Sequence, residues 1–440
     1  MNPKIENNKK SISIIGWGPK LQKDWQIHKV KYLLESKITD GPHETPEFID
    51  EGIPFLSVDS IQDGKLDFEN CRYISKEDYV RFKVKCNPRK NDVLMGKAAS
   101  IGKIAIVDVD FDFGIWSPLA LIRPHREVIV PKFLEYSLKT DYCQDQIDLY
   151  ATSNTQKNIS MDDIPRIQII TPPIPEQISI ASFLDKKTAE IGTLIDRDRR
   201  LIDLLREKRS SLINHAVTKG LDPKAKMKDS GVEWIGEIPE GWDVRKLSYC
   251  FDIIGSGTTP SSDDESYYME GTIPWIITGD LNDSILEDAS KRITESAFHE
   301  HSALKMFPKN SIIIAMYGAT IGKLTITTFD ACTNQACCVL TKSKIVDIKF
   351  LFYWFLANRS EIISRSYGGG QPNISQEVIR SLKIQVPPIQ QQTAIASYLD
   401  KQTSRIDSTI FKIEKKIALL DEYKKSLIHS AVTGQIDVRS

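Results

Sequence analysis

The feature that most restricts what this chain can become is a duplicated segment. "PPIPEQISIASFLDKKT" begins at Pro172 and "PPIQQQTAIASYLDKQT" begins at Pro387. Aligned without a gap, residues 171–222 and 386–437 agree at about 24 of 52 positions, so two copies of one structural unit are present. Each opens with a Pro-Pro pair, which suits the entry of a helix and not its interior. Past these entries no stop occurs until Gly220 and Gly434. Each copy therefore predicts one helix of about 40 residues, roughly 60 Å at 1.5 Å per residue.

Apolar residues recur along both helices at spacings of three and four, or their sums. In the first they fall at Ala181, Leu184, Ile191, Ile195, Ile202, Leu205, Leu212 and Ala216. In the second they fall at Ala396, Leu399, Ile406, Ile410, Ile413, Ile417, Leu420, Leu427 and Ala431. This is a coiled-coil seam, broken at Thr188, Asp198, Arg209, Thr403 and Lys424. Such a seam must be covered, by the other helix or by partner chains. Mutual antiparallel packing would make a rod with one block of sequence at each end, related by an approximate twofold axis.

The blocks preceding the helices are diverged copies of each other. "DWQIHKVKYLLE" at Asp24 answers "GWDVRKLSYCFD" at Gly241, and "IPFLSVDSIQDGKL" at Ile53 answers "IPWIITGDLNDSIL" at Ile273. "KNDVLMGKAASIGKIAIV" at Lys90 answers "KNSIIIAMYGATIGKLTI" at Lys309, with a one-residue length change. "TSNTQKNIS" at Thr152 answers "GGGQPNIS" at Gly368, aligning Gln156 with Gln371 and Asn158 with Asn373. Short β-branched runs bounded by Gly, Asn, Asp and Pro dominate, with helical stretches at Pro131 to Gln146 and Ile348 to Ser364. The expected fold class is α+β: two tandem mixed α/β domains, 1–170 and 223–385, held apart by an antiparallel coiled-coil pair, 171–222 and 386–440. Shared landmarks with different filling suggest one scaffold carrying two different surfaces.

Charge and motifs narrow the function. With 58 basic and 59 acidic residues, no global field marks a strongly basic nucleic-acid binder, so a DNA-binding role would need local basic faces. The amino-terminal residues lack an apolar core of signal-peptide length and no apolar run reaches about 18 residues, which reads as cytoplasmic. Seven cysteines without a CxxC pair fit reduced thiols, and His299 and His301 have no further ligands at metal-site spacing. "GKAASIGKI" and "GATIGKL" miss the spacing of a nucleotide-binding loop and carry Ile104 or Leu324 where it needs Ser or Thr. They read as β-hairpins or tight loops from which Ser100, Lys103, Thr320 and Lys323 could reach DNA phosphates. "TPPI" and "VPPI" lack the flanking residues of an adenine-methyltransferase tetrad, and no hydrolase, protease or helicase motif is present. No catalytic residue is assigned.

Two variable domains separated by helices beginning "PPIxxQxxIASxLDKxT" and ending "SLIxxAVT" resemble the DNA specificity subunits of type I restriction-modification systems. "MKDSGVEWIGEIPEGW" at Met227 and the IPW…TGDL, TIGK and QPNIS landmarks of the second domain strengthen the resemblance, which covers essentially the whole chain. It implies that each domain is a target-recognition domain reading one half of a bipartite double-stranded DNA site. It also implies that the helices dock two modification subunits to form an adenine-N6 methyltransferase. Restriction/translocase subunits would add cleavage, and S-adenosylmethionine, ATP and Mg2+ would bind the partner chains. The subunit itself is expected to be non-catalytic, without metal or membrane.

Base edges are read by side chains with paired donors and acceptors. The candidates are Gln156, Lys157 and Asn158 in the first domain and Gln371 and Asn373 in the second. Their alternative role is turn capping. Lys97 and Tyr317 lie in corresponding loops, where a DNA contact and a packing role are both open. Asp59 and Asp280 could accept from cytosine or cap a strand end. For partner docking the outer helix faces offer Arg199, Arg200, Arg206 and Lys208, and Lys412, Lys415, Lys416 and Glu422. The competing account is a scaffold that organises proteins through its coiled coil without reading DNA.

Overall fold

The computed structural model describes residues 22–153, 157–365 and 373–438. The chain divides into two compact units, one made of the residues up to 198 together with those from 414 onward, the other of residues 199–413. Both boundaries fall inside helices that run without a break.

In the first unit, β1 (Gln26–Lys29), β2 (Thr39–Asp40), β3 (Val93–Gly96), β4 (Ile104–Ile106) and β5 (Leu119–Ile122) precede α1 (Pro131–Leu138), α2 (Asp141–Tyr150) and β6 (Gln168–Thr171). Strands β2, β5, β3 and β4 form one antiparallel sheet in that order. The β3 run Val-Leu-Met-Gly is buried throughout and follows a Lys-Asn turn whose Asn91 sits at φ 74°, a conformation Asn tolerates better than most residues. The stretch read as one helix from Pro131 is two: Pro131 starts α1, and Thr140 starts α2 by accepting from the Cys143 amide at 3.4 Å. Strand β1 pairs antiparallel with β6, Gln26 opposite Thr171, which delivers the chain to α3 (Ile174–Lys219, 46 residues).

The second unit repeats the plan. It contains β7 (Asp243–Lys246), β8 (Ile253–Gly255), β9 (Ser284–Leu286), β10 (Ile312–Ala315), β11 (Leu324–Thr327), β12 (Cys337–Thr341), α4 (Ile348–Ser364) and β13 (Lys383–Val386). Its sheet order is β8-β12-β10-β11-β9, with β9 parallel to β11. Strand β7 pairs with β13 and leads into α5 (Ile389–Val432, 44 residues).

Each unit buries pieces of both long helices in its own core. In the first, Ile180, Leu184, Ile191 and Ile195 of α3 join Leu427, Ile428, Ala431 and Val432 of α5 and the domain's Phe133 and Leu138 in one apolar cluster. In the second, Ile213, Ala216 and Val217 of α3 join Ile395 and Leu399 of α5 and the domain's Phe350 and Trp354. The helices are antiparallel: Lys416 meets Asp198 at 2.8 Å in the first unit and Arg209 meets Asp407 at 3.0 Å in the second, so numbers rise on one helix as they fall on the other. The seam breaks at Asp198 and Arg209 are therefore cross-helix ion pairs. Ile202 and Ile406 are buried as expected, and Leu205, Ile410, Ile417 and Leu420 are half-buried. Leu212 is half-buried too, and the adjacent Ile213 is fully buried beside it.

Both helices end on a left-handed glycine, Gly220 at φ 78° and Gly434 at φ 74°, the usual helix stop. These glycines are also contact points. A side chain at Gly220 would meet Trp242 at 3.2 Å and one at Gly434 would meet Trp25 at 3.0 Å.

Candidate nucleic-acid interface

Residues at matching positions of the two helices grip the two domains in the same way. Trp25 Nε1 donates to Glu176 at 3.0 Å, and Trp242 Nε1 donates to Gln391 at 2.9 Å. Gln177 Oε1 accepts from the Val130 amide and Gln392 Oε1 from the Asp347 amide, both at 2.8 Å. Tyr136 donates to Asp185 at 2.7 Å beside Thr188, and Tyr353 donates to Asp400 at 2.8 Å beside Thr403. Burial raises the Tyr353 phenol to about 12 and raises Tyr136 as well, so both stay protonated as donors. The seam breaks at Thr188 and Thr403 are thus sockets for a domain tyrosine.

Held this way, each domain gathers its described DNA-contact candidates at one end of its sheet. In the second domain β10 ends at Ala315 opposite Cys337, β11 begins at Leu324 opposite Ile314, and β8 ends at Gly255 opposite Val339. The loops that leave β8 and β10 and those that enter β11 and β12 consequently share one edge. Asn373 and Ile374 of "QPNIS" join them: the Ile374 amide donates to the Met316 carbonyl at 2.7 Å and Asn373 pairs with Tyr317. In the first domain the Ile159 amide donates to the Lys97 carbonyl at 2.9 Å and Asn158 pairs with Ala98. The glycine-containing segments are the tips of the hairpins β3–β4 and β10–β11.

Lys157, Asn158, Lys323 and Asn373 are exposed at this edge, while Ser100, Lys103, Tyr317 and Thr320 are half-buried. Gln156 and Gln371 lie outside the described residues. Lys97 takes the packing role: it is buried, with Nζ 3.2 Å from Asp40, which also receives Lys85 at 2.6 Å and His43 at 3.1 Å. Burial opposes ionisation of Asp40, yet hydrogen bonds from Lys85 and Lys97 hold its carboxyl below the ordinary value. The pairings above make Met316, not Tyr317, the counterpart of Lys97. Asp280 is also structural, accepting from the Ile277 amide at 3.0 Å and the Ser290 amide at 3.3 Å, whereas Asp59 is exposed.

Two further loops at the edge escaped the sequence reading. One follows β2 or β8 and crosses so close that a side chain at Gly41 would stand 1.8 Å from the Ile115 carbonyl oxygen, and one at Gly257 1.8 Å from that of Thr333. The other is the turn it crosses, Trp116-Ser117-Pro118 or Asn334-Gln335-Ala336, tied to the hairpin by Lys97 N to Pro118 O at 2.9 Å and Met316 N to Ala336 O at 2.8 Å. The matching of "GPHETP" with "GTTP" ahead of the shared Ile-Pro strand marks the first loop as common to both domains, but not its place at this edge, and the turn has no such signal.

On the helices, the charged docking candidates are exposed, but Lys416 is engaged with Asp198 and Arg206 lies 3.6 Å from Asp203. Exposed apolar residues stand among them: Leu194, Leu419 and Tyr423 in the first unit, and Leu201, Leu204 and Phe411 in the second. Acidic residues slightly outnumber basic ones in each domain, so phosphate affinity must come from local basic positions at the edge and not from net charge. Among the described residues no helix is long and apolar enough to cross a membrane.

The family model described as the type I restriction modification DNA specificity domain matches residues 22–197 and again 239–419. The chain belongs to this family. It is 24% identical over 445 residues to the type I restriction enzyme MjaVIII specificity subunit of Methanocaldococcus jannaschii, covering 96% of this chain and 95% of that one. Its fold is similar to a chain solved for the complex assembly and conformational transition of the type I R-M system, with a TM-score of 0.69, 18% identity and coverage of 95% and 100%. It is also similar to the HsdS subunit of Thermoanaerobacter tengcongensis, with a TM-score of 0.51, 18% identity and coverage of 95% and 98%. As a member of the specificity family, the chain carries two copies of the specificity domain, and each match runs on into one of the long helices.

Proposed function

We propose that this chain is the specificity subunit of a type I restriction-modification enzyme and that each domain reads one half of a gapped, bipartite duplex site. The observation that carries the reading is the duplicated edge: two equivalent loop clusters on one scaffold, bearing Lys157 and Asn158 in one domain and Tyr317, Lys323 and Asn373 in the other. Equivalent scaffolds with unlike side chains suit two different half-sites. The long helices set the gap, and they dock two modification subunits through faces where Leu201, Leu204 and Phe411, or Leu194, Leu419 and Tyr423, stand among charges. Those partners bind S-adenosylmethionine and transfer the methyl group to adenine N6. Restriction/translocase subunits bring ATP and Mg2+ for cleavage. The chain supplies recognition and no catalysis, acts in the cytoplasm, and gains affinity when its partners close around the duplex.

The test is methylome sequencing of a host carrying this chain with its modification subunit, against the same host without this chain. One interrupted adenine-methylated motif that depends on the chain is expected. A stable complex that writes no new motif would favour a scaffold.

A further inference from the structure

We infer that Gln335, oriented by Thr259, donates its side-chain amide to the DNA half-site held by the second domain. The inference rests on the recognition function proposed above and extends it to a loop that no recognised motif includes. Gln335 is exposed and occupies the turn that enters β12. The register of β8, β10 and β12 puts that turn at the same sheet end as Tyr317, Lys323 and Asn373. The turn is firmly held: Asn334 N donates to Ile276 O at 3.1 Å, Met316 N to Ala336 O at 2.8 Å, and the Asn334 side chain accepts from the Ala336 amide at 3.2 Å.

The carboxamide is oriented too. Thr259 Oγ1, on the loop that crosses the turn, donates to Gln335 Oε1 at 2.5 Å. With its oxygen engaged, Gln335 presents the amide N–H pair, which has no hydrogen-bond partner among the described residues. Duplex DNA offers acceptors that such donors fit: phosphate oxygens along the backbone, and purine N7 with guanine O6 in the major groove. A long donor fixed at both backbone and side chain loses little freedom on binding. Ser117 holds the equivalent place in the first domain with a shorter side chain, so this contact belongs to the second half-site.

The experiment uses the assembled methyltransferase and a duplex carrying the motif found for the wild type. Gln335→Glu keeps the shape and replaces donors with acceptors, and Thr259→Val keeps Gln335 but removes its tether. Both positions are exposed, so thermal midpoints and complex formation should match the wild type. Gln335→Glu is expected to weaken duplex binding roughly tenfold or more, the scale of one good readout contact, and Thr259→Val by a smaller factor. Loss of discrimination at one base pair of the second half-site identifies a base acceptor. Uniform weakening across sequences that Gln335→Ala shares, and so is not repulsion of a new carboxylate by phosphate, identifies a phosphate; either result supports the contact. Binding within about twofold of wild type for both Gln335→Glu and Gln335→Ala overturns it. If the wild type writes no bipartite motif, the recognition function fails and this contact with it; if the wild type writes one and the variants match it, the contact alone fails.

Discussion

Lys97 and Met316 stand at equivalent points behind the hairpin tips, and the two domains fill that point with opposite chemistry. Lys97 pairs with buried Asp40, whereas Met316 is buried in the apolar core. Removing Asp40 strands a buried ammonium, a change worth about 3–5 kcal/mol when one partner of a buried pair is lost. Removing Lys97 leaves Asp40 with Lys85 and His43. Asp40→Asn should therefore destabilise by about 3 kcal/mol and Lys97→Met by about 1 kcal/mol or less, read from urea unfolding. Lys97→Met should leave the methylated motif unchanged; a lost first half-site would return Lys97 to DNA reading. The Asp40 carboxyl is held below 3.8, so its ion pairs contribute above that pH and are lost as acid protonates it in the folded state. The sequence exposed the lysine but not its partner, because Asp40 reaches Lys97 only through strand pairing across some 57 residues. The unplaced one-residue length change likewise concealed that Met316 is its counterpart.

At the scale of elements, the long helices were legible almost whole, since apolar spacing and two stop glycines report on local structure. The seam drifted at one end. A strict heptad reading puts Leu212 inside, but an α-helix turns 3.6 residues per turn and drifts against a 3.5-residue repeat. At that end α3 packs on Trp242 and Phe350 as well as on α5, so Ile213, Ala216 and Val217 face inward. Magnitudes rank the contacts. Leu184 and Leu399 are fully buried, and truncation to Ala should cost about 2–5 kcal/mol each. Asp407 is half exposed where it meets Arg209, and Asp407→Ala should cost under about 1 kcal/mol. Chemical denaturation of the three variants checks the order. The short strands were readable only as a class; their order, and hence the loops at Gly41 and Gln335, depends on pairings no local pattern encodes.

For the whole molecule, the proposed gap-setting role of the helices makes a metric prediction. Seven residues inserted into each helix at matched positions preserve the seam and add about 10.5 Å per helix, the length of about three base pairs. The methylated motif should keep both half-sites and widen its gap by about three. An unchanged gap would remove the helices from that role.

The first unit is closed by residues made more than 200 positions after its domain: Leu427, Ile428, Ala431 and Val432 of α5 lie in one core with Phe133 and Leu184. The second unit is continuous in sequence. At roughly 5–20 residues per second, the ribosome needs ten seconds or more to make the residues between 198 and 414, and the earlier domain must wait with part of its apolar surface uncovered. A chain cut before residue 414 would hold a finished second domain beside an unfinished first one, which makes the late residues of α5 the step that completes the first domain's core.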